Sequence, residues 1–540
     1  MSDTTTSPLQ GPAQRQAALQ RLRQGARFDL VVIGGGATGL GVALDACVRG
    51  FSVLLAEAGD FAQGTSSRAT KLVHGGVRYL AQGNVVLVRE ALRERAALLA
   101  NAPHLAQRLP FIVPGYHLWE PAWYGVGLKV YDTLSGSRGI GDTRWLSARR
   151  TRELLPGVRA EGLRGGVRYW DGQFDDARLA VLLARTAAAR GALVLNHLRV
   201  DALHQEQGQL RSLSLQDAET GERLTVQAAC IVNATGVWVD ALRAMDRAQG
   251  QASPAPMVAP SQGVHLVVDR AFLPGGHALM VPRTEDGRVL FAVPWLGKTI
   301  LGTTDTPRED VTAEPRPFGH EVDFILREAA RYLERAPRRS DVRSAWVGLR
   351  PLVRPSGEAG DTKAISREHT IAISRSGLVT VTGGKWTTYR AMAEDVLARC
   401  MAHGLLPARL TPVTEHLALL GAAAGKPLAE PPGEHLYGSE AATLHSLPGA
   451  QNWLWRDAES GQGGLSEAMV RFAVRHEMAR SVADVLARRS RLLFLDARLA
   501  QAVAEPVARL LAEELGEAFD AQASLRAFVE LAGTYASLPT

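Results

Sequence analysis

Lysine is scarce in this chain of 540 residues. Six of its 61 basic side chains are lysines (Lys71, Lys129, Lys298, Lys363, Lys385 and Lys426), and the rest are arginines. Cysteine is scarcer still: Cys47, Cys230 and Cys400 lie far apart, are odd in number and offer no CxxC spacing. That argues against a disulfide framework or a cysteine zinc site and makes a reducing compartment the default; no metal site is expected. No apolar run approaches the roughly 20 residues of a membrane-spanning helix, so any membrane contact would be peripheral. Residues 1–27 lack a continuous apolar segment and read as a flexible N-terminal tail or a short amphipathic helix, not as a secretory signal. Runs of five or more cations are missing too. The net charge of +6 and the pI of about 9.4 therefore do not single out nucleic acid, which calls for clustered cations and interleaved aromatics. No nucleic-acid partner is expected.

What is present is globular: 46% hydrophobic and 21% charged residues, in a length that suits two or three folding units. The segment "FDLVVIGGGATGLGVALDACVRG" reads as a buried strand over residues 30–33, a glycine turn, and a helix ending near Gly50. A second strand, "SVLLA", ends at Glu57. Gly34, Gly36 and Gly39 have the G-x-G-x-x-G spacing. The first two permit a sharp turn and close approach to a pyrophosphate, and the third lets the helix pack on the strand. Glu57 stands where an acid can accept hydrogen bonds from an adenosine ribose. A dinucleotide site is the expectation.

The stretch "TSSRATKLVHGGVRYL", residues 65–80, has no helical or strand period and gathers hydroxyls, cations, an imidazole and two glycines. With the glycine turn before it and "GGKWTTYR" at residues 383–390, it resembles the FAD-dependent glycerol-3-phosphate dehydrogenases of the D-amino-acid-oxidase-like flavoprotein superfamily. "NATGVWVD", "FAVPWLGKTILGTTDT", "GLRPL" and "AISREHT" support the resemblance in order along the chain.

The resemblance implies FAD as cofactor. It places Thr65, Ser66, Ser67 and Lys71 with Gly34, Gly36, Gly39 and Glu57 at the nucleotide, and the Ala234-Thr235-Gly236 turn over the adenosine side. Gly75, Gly384, Lys385 and Thr387 fall near the flavin. The start of a helix at Thr387 or Thr388 would favour negative charge there. His74 is the expected general base, since an imidazole titrates near neutral pH; a loop histidine satisfied by backbone is the alternative. Arg78, Tyr79, Arg350, Arg367 and Lys385 are the expected substrate contacts, with Arg78 and Arg350 forming guanidinium forks for a phosphate. Two of the six lysines fall in the two most specific motifs, where a compact ammonium suits the space.

The expected fold class is α/β: a Rossmann-like FAD-binding domain with an inserted antiparallel-sheet substrate domain, together residues 28–405, and a small helical C-terminal domain over 406–540. Asp175 or Asp176 is expected to cap a helix rather than form a catalytic carboxylate pair. "GTTDT" (302–306) offers hydroxyls to substrate or forms a solvated turn. "PAWYGVGLKVYDTL" (121–134) reads equally as an interfacial segment or a buried helix. The resemblance implies oxidation of sn-glycerol 3-phosphate, with electrons passing to a membrane quinone at the cytoplasmic face of the membrane. Oxygen as acceptor, or another amine or hydroxy acid as substrate, are the alternatives within the superfamily. A non-catalytic FAD-binding scaffold is the alternative outside it. Family members are often dimers, so a homodimer is also an expected partner state.

Overall fold

The computed structural model describes residues 11–76, 84–117, 119–136, 139–247, 254–354, 369–409, 413–458, 461 and 463–540. The apolar strands Arg27–Ile33, Val53–Ala56 and Arg223–Asn233 lie side by side in parallel, with Leu30 opposite both Val53 and Cys230. The runs 30–33, 53–56 and 230–233 are buried without alternation, as in a sheet covered on both faces, whereas 223–228 alternates. The strand order of this sheet is His369–Ile373, Leu378–Gly383, Arg223–Asn233, Arg27–Ile33, Val53–Ala56, Leu193–Leu195, with a hairpin, Leu198–Glu206 and Gln209–Asp217, paired antiparallel to the first half of Arg223–Asn233. The helices Ala37–Val48, Asp176–Ala189 and Tyr389–Ala402 pack together on one face.

Part of the expected N-terminal tail is ordered. Pro12–Arg23 is a helix whose Ala18, Leu19 and Leu22 pack under Phe28 and Val31 on the other face of the sheet. Proline at its first turn costs nothing, since the missing N–H has no partner inside the helix in any case.

The substrate-side sheet is built from two separate insertions. Residues 72–174 supply Leu72–Val73, Ala106–Gly115, Arg144–Ser147 and Gly165–Phe174; residues 258–353 supply the rest. It is antiparallel as expected, except where Ala278–Val281 joins the two halves by parallel pairing with Ala106–Gly115. The ladder Val258–Asp269 against Ser344–Val353 sets Ser261 opposite Arg350 and His265 opposite Trp346.

The C-terminal helices Glu467–Glu477, Ala504–Leu515 and Ala521–Ala536 are amphipathic, as the sequence period indicates. Their apolar faces do not form a core of their own. Val470, Phe472, Leu511 and Phe528 join one cluster with Leu40, Leu55 and Leu183 of the nucleotide-binding part.

Candidate active site

Three glycine turns meet at the carboxyl ends of the parallel strands, where ligands bind in open α/β sheets. Gly34 has φ +111°, and a Cβ there would stand 2.6 Å from the Ala234 carbonyl oxygen. The turn after Arg27–Ile33 is thus pressed against the Ala234-Thr235-Gly236 turn. Gly236 (φ +63°) faces open space, where a Cβ would meet nothing within 4 Å. Gly383 (φ +81°) and Gly384 (φ +73°) end the neighbouring strand. The helix Ala37–Val48 begins at Gly36, which offers no side-chain cap; beyond the Ala37 N–H, which Ser66 takes, its first turn is open to an anion. Gly39 is the tightest position: a Cβ would lie 1.9 Å from the Gly34 carbonyl oxygen. Gly39→Ala must shift the turn, at about 1–3 kcal/mol. We expect at least a fivefold weaker hold on FAD, read as flavin released on dilution; retention equal to wild type would refute the packing argument.

Glu57 is drawn into this turn more than the sequence indicates. Its Oε2 accepts the Gly35 N–H at 2.6 Å and its Oε1 the Gly59 N–H at 2.8 Å, and burial raises its pKa despite both bonds. Each oxygen keeps a second lone pair for a ribose hydroxyl.

The loop Thr65–Ser67 fits between helix, sheet and the Gly383-Gly384 turn. Two of its hydroxyls are engaged by protein, one as donor and one as acceptor. Thr65 Oγ1 donates to the Leu349 carbonyl at 2.5 Å, and Ser66 Oγ accepts the Ala37 N–H at 3.0 Å. Ser67 Oγ is buried without a partner. Trp386 Nε1 donates to the Ser66 carbonyl at 2.8 Å and ties the second motif to the first.

Lys71 does not reach out to a ligand. Wholly buried with φ +64°, it donates to the Ser67 carbonyl and to Asp176, at 2.7 Å each. The rings of Trp295, Trp346 and Phe494 surround it at 5.2–5.3 Å. Burial pulls its pKa down to about 7; the Asp176 carboxylate resists this, and the Arg491 charge adds to the fall. Arg491, from the C-terminal unit, donates to the same Ser67 carbonyl at 2.9 Å and to Asp176 at 3.0 Å. Lys71 therefore shapes the cofactor loop from behind. Asp175 is the helix cap, accepting the Arg178 N–H at 3.2 Å.

His74 follows the short strand Leu72–Val73 and is half-buried. Gly75 is closely packed, since a Cβ would meet the Tyr131 hydroxyl at 2.2 Å. Gly384 is similarly crowded, by Met392. Arg78 and Tyr79, within 77–83, and Arg367, within 355–368, lie outside the described residues. Lys385 is half-buried at the start of the turn Trp386–Thr388, Thr387 is buried, and the helix proper begins at Tyr389.

Arg350 runs across Gly263, where a Cβ would lie 2.3 Å from its Nη2. Its Nη1 pairs with Asp305 at 3.1 Å, and its Nη2 donates to the Thr304 carbonyl at 3.0 Å and Thr303 Oγ1 at 3.3 Å. The "GTTDT" segment thus holds the arginine in place. Beside it is a residue that sequence reasoning missed. His265 stacks on Trp346 at 5.2 Å and shares a 2.9 Å hydrogen bond between its Nε2 and Thr70 Oγ1, while its Nδ1 is buried without a partner. Burial, then the charges of Lys71 and Arg350, hold its pKa well below the usual value, so it is a neutral imidazole.

A second histidine lies at the junction with the C-terminal unit. Asp60, His197 and Asp484 present ligand-type atoms within 4.8 Å of one another, but Arg488 bridges both carboxylates and Arg489 also meets Asp60. Burial opposes the charge on His197; Asp484, at 3.0 Å, outweighs it, and the pKa is raised. The stabilisation is therefore complete below the unfolded value of about 6.5 and fades as pH rises through the folded one. His197→Gln is expected to lower the melting temperature most near pH 6, with the gap closing above neutrality; a gap constant from pH 6 to 9 would contradict the charge assignment.

A helix start open in its first turn, the three glycine turns and the orphaned Ser67 hydroxyl fit a dinucleotide, and an arginine-bearing sheet faces them. This arrangement fits a dinucleotide-dependent oxidoreductase. Comparison with known proteins agrees. Residues 29–390 match the FAD dependent oxidoreductase family, and residues 412–522 match the C-terminal domain of alpha-glycerophosphate oxidase. A probable mitochondrial glycerol-3-phosphate dehydrogenase of Caenorhabditis elegans is 40% identical over 96% of this chain and 75% of its own. The mitochondrial glycerol-3-phosphate dehydrogenase of Arabidopsis thaliana is 40% identical over 95% of this chain and 87% of its own. The FAD complex of the Bacillus halodurans glycerol-3-phosphate dehydrogenase superposes with a TM-score of 0.76 at 30% identity, covering 98% of both chains. The chain belongs to the FAD-dependent oxidoreductase family, in its glycerol-3-phosphate dehydrogenase branch.

Proposed function

We propose that the chain oxidises sn-glycerol 3-phosphate to dihydroxyacetone phosphate and passes the electrons to a membrane quinone. The observation that carries the reading is the junction of Thr65 with Leu349, which brings the strand bearing Arg350 onto the cofactor loop. A phosphate held by Arg350, with Arg78 as a second fork, would lie next to that loop, and its binding energy would orient the substrate C2. Bound FAD supplies the hydride acceptor. His74 takes the proton of the C2 hydroxyl. Neutral His265, fixed by Thr70 and Trp346, lies buried in the region of Arg350 and backs that part of the sheet. Lys385 stabilises negative charge near substrate and flavin. Among the described residues no helix is long and apolar enough to cross a membrane, so the quinone would be met from the bilayer surface.

The test is anaerobic mixing of the yellow protein with sn-glycerol 3-phosphate. Rapid loss of the visible flavin band, and its return on adding a quinone analogue faster than on adding oxygen, are the expected results. A band that persists with this substrate but bleaches with glycine or a 2-hydroxy acid would move the chain to another oxidase reading.

A further inference from the structure

The turn that supports Arg350 is itself held from the far side of the sheet. Along the strand Val258–Asp269 successive side chains point to opposite faces. Ser261, Gly263 and His265 lie on the face of Arg350: Ser261 Oγ donates to Asp305, Arg350 lies across Gly263, and His265 meets Thr70. Gln262, Val264 and Leu266 point the other way, toward the helix Gly319–Tyr332. Val322 and Ile325 of that helix share one apolar cluster with Val264 and Leu266.

Glu321, in the first turn of the helix, is 2% exposed, and its two oxygens take four donors. Oε2 accepts the Phe318 N–H at 2.9 Å and the side-chain amide of Gln262. Oε1 accepts the hydroxyls of Thr304 at 2.9 Å and Thr306 at 2.5 Å. The Phe318 bond is the one a glutamate at this helix position ordinarily makes. The other three tie the carboxylate to the sheet and its turn.

Thr304 is where the two faces meet. Its hydroxyl reaches back to Glu321 and accepts the Val264 N–H at 3.0 Å, while its carbonyl accepts from Arg350 at 3.0 Å. Asp305 then pairs with Arg350 on the front, and Thr306 returns its hydroxyl to Glu321 at the back. One buried carboxylate thus fixes the residues on both sides of Asp305. The hydroxyls that "GTTDT" could have offered to substrate at Thr304 and Thr306 go to Glu321 instead.

We propose that Glu321 is a positioning residue for the substrate phosphate, setting the aim of Arg350 by locking the turn 303–306 from behind. The inference rests on the reading of Arg350 as the phosphate fork. A carboxylate suits this task because it accepts at both oxygens, whereas an amide accepts at one. Glu321→Gln keeps the volume and loses least with its NH2 turned to the threonines, whose hydroxyls can rotate to accept.

The experiment is steady-state kinetics of the FAD-loaded enzyme with sn-glycerol 3-phosphate, in a double-mutant cycle of Glu321→Gln with Arg350→Ala. Alone, Glu321→Gln is expected to lower kcat/KM about thirtyfold, the scale of a misplaced binding group. Inhibition by inorganic phosphate should weaken with it, at an unchanged ratio of flavin to protein absorbance. In the Arg350→Ala background the same change should cost less than about twofold, because the group it aims is gone. Thr306→Val removes one of the four donors with less risk to folding. It should lose about threefold alone and nothing further beside Arg350→Ala. Losses of equal size in both backgrounds would make Glu321 a general support of the fold and overturn the proposal. So would a Glu321→Gln enzyme with wild-type kcat/KM, and either result leaves Arg350 as the phosphate fork. An Arg350→Ala enzyme with wild-type kcat/KM would instead sink the phosphate reading, and this proposal with it.

Discussion

Replacing Arg350 with alanine is expected to lower kcat/KM for sn-glycerol 3-phosphate by about a thousandfold, or about 4 kcal/mol. The magnitude follows from what the side chain is fixed to do. Asp305, Thr303 and the Thr304 carbonyl orient the guanidinium before any ligand arrives, and the bare backbone of Gly263 gives it a flat bed. A charge-assisted fork held this way binds a phosphate without paying for its own ordering. The loss should appear in kcat as well as KM, since the phosphate also aims C2. Arg350→Lys keeps the charge but loses the planar fork, and should recover part of the loss at most. Both variants should melt within a few degrees of wild type. A kcat/KM within threefold of wild type in Arg350→Ala would refute the phosphate role.

Asp176→Ala is expected to be the most destabilising single change in the described core, at about 3–5 kcal/mol. Asp176 is the carboxylate that Lys71 and Arg491 share, and all three side chains are fully buried. Removing it leaves Lys71 without its acid while Arg491 keeps a 3.4 Å contact to Asp175. The Ala69 N–H, which donates to Asp176 at 3.1 Å, loses its acceptor as well. A lower melting temperature and a fallen ratio of flavin to protein absorbance should appear together, because these bonds hold the loop Thr65–Ser67. Lys71→Met/Asp176→Leu should restore much of the stability, since an apolar pair of similar volume carries no desolvation cost. If Asp176→Ala melts like wild type, the cluster is not what holds the loop.

The nucleotide-binding strands and the glycine turn were legible because their constraints are local: a φ of +111° at Gly34 and a 1.9 Å approach at Gly39 leave no other residue type in those places. Helical periods in the C-terminal part were legible for a like reason. Lys71 was misplaced because its partner Asp176 lies 105 positions away and nothing near it in sequence signals burial. Tail and short amphipathic helix were equally open for Pro12–Arg23, which is helical, because three small or aliphatic side chains, Ala18, Leu19 and Leu22, make a thin face among glutamines and arginines. In "GVHLVVD", His265 looks like any polar interruption of a strand. Its significance comes from the register that sets it opposite Trp346, and from Thr70 and Arg350 arriving from elsewhere. Arg350 itself was legible as a residue but not its support, which depends on the antiparallel pairing of two distant strands.

The bond from Arg491 to the Ser67 carbonyl spans 424 positions of the chain. During synthesis at about 5–20 residues per second, that separation amounts to roughly 20 to 85 s. From residue 236 onward the nascent chain carries both glycine turns of its first half but not the side chain that closes the cofactor loop from behind. Firm flavin retention is therefore expected only in a chain that reaches Arg491, and a chain ending before it is expected to hold FAD more weakly than the full protein.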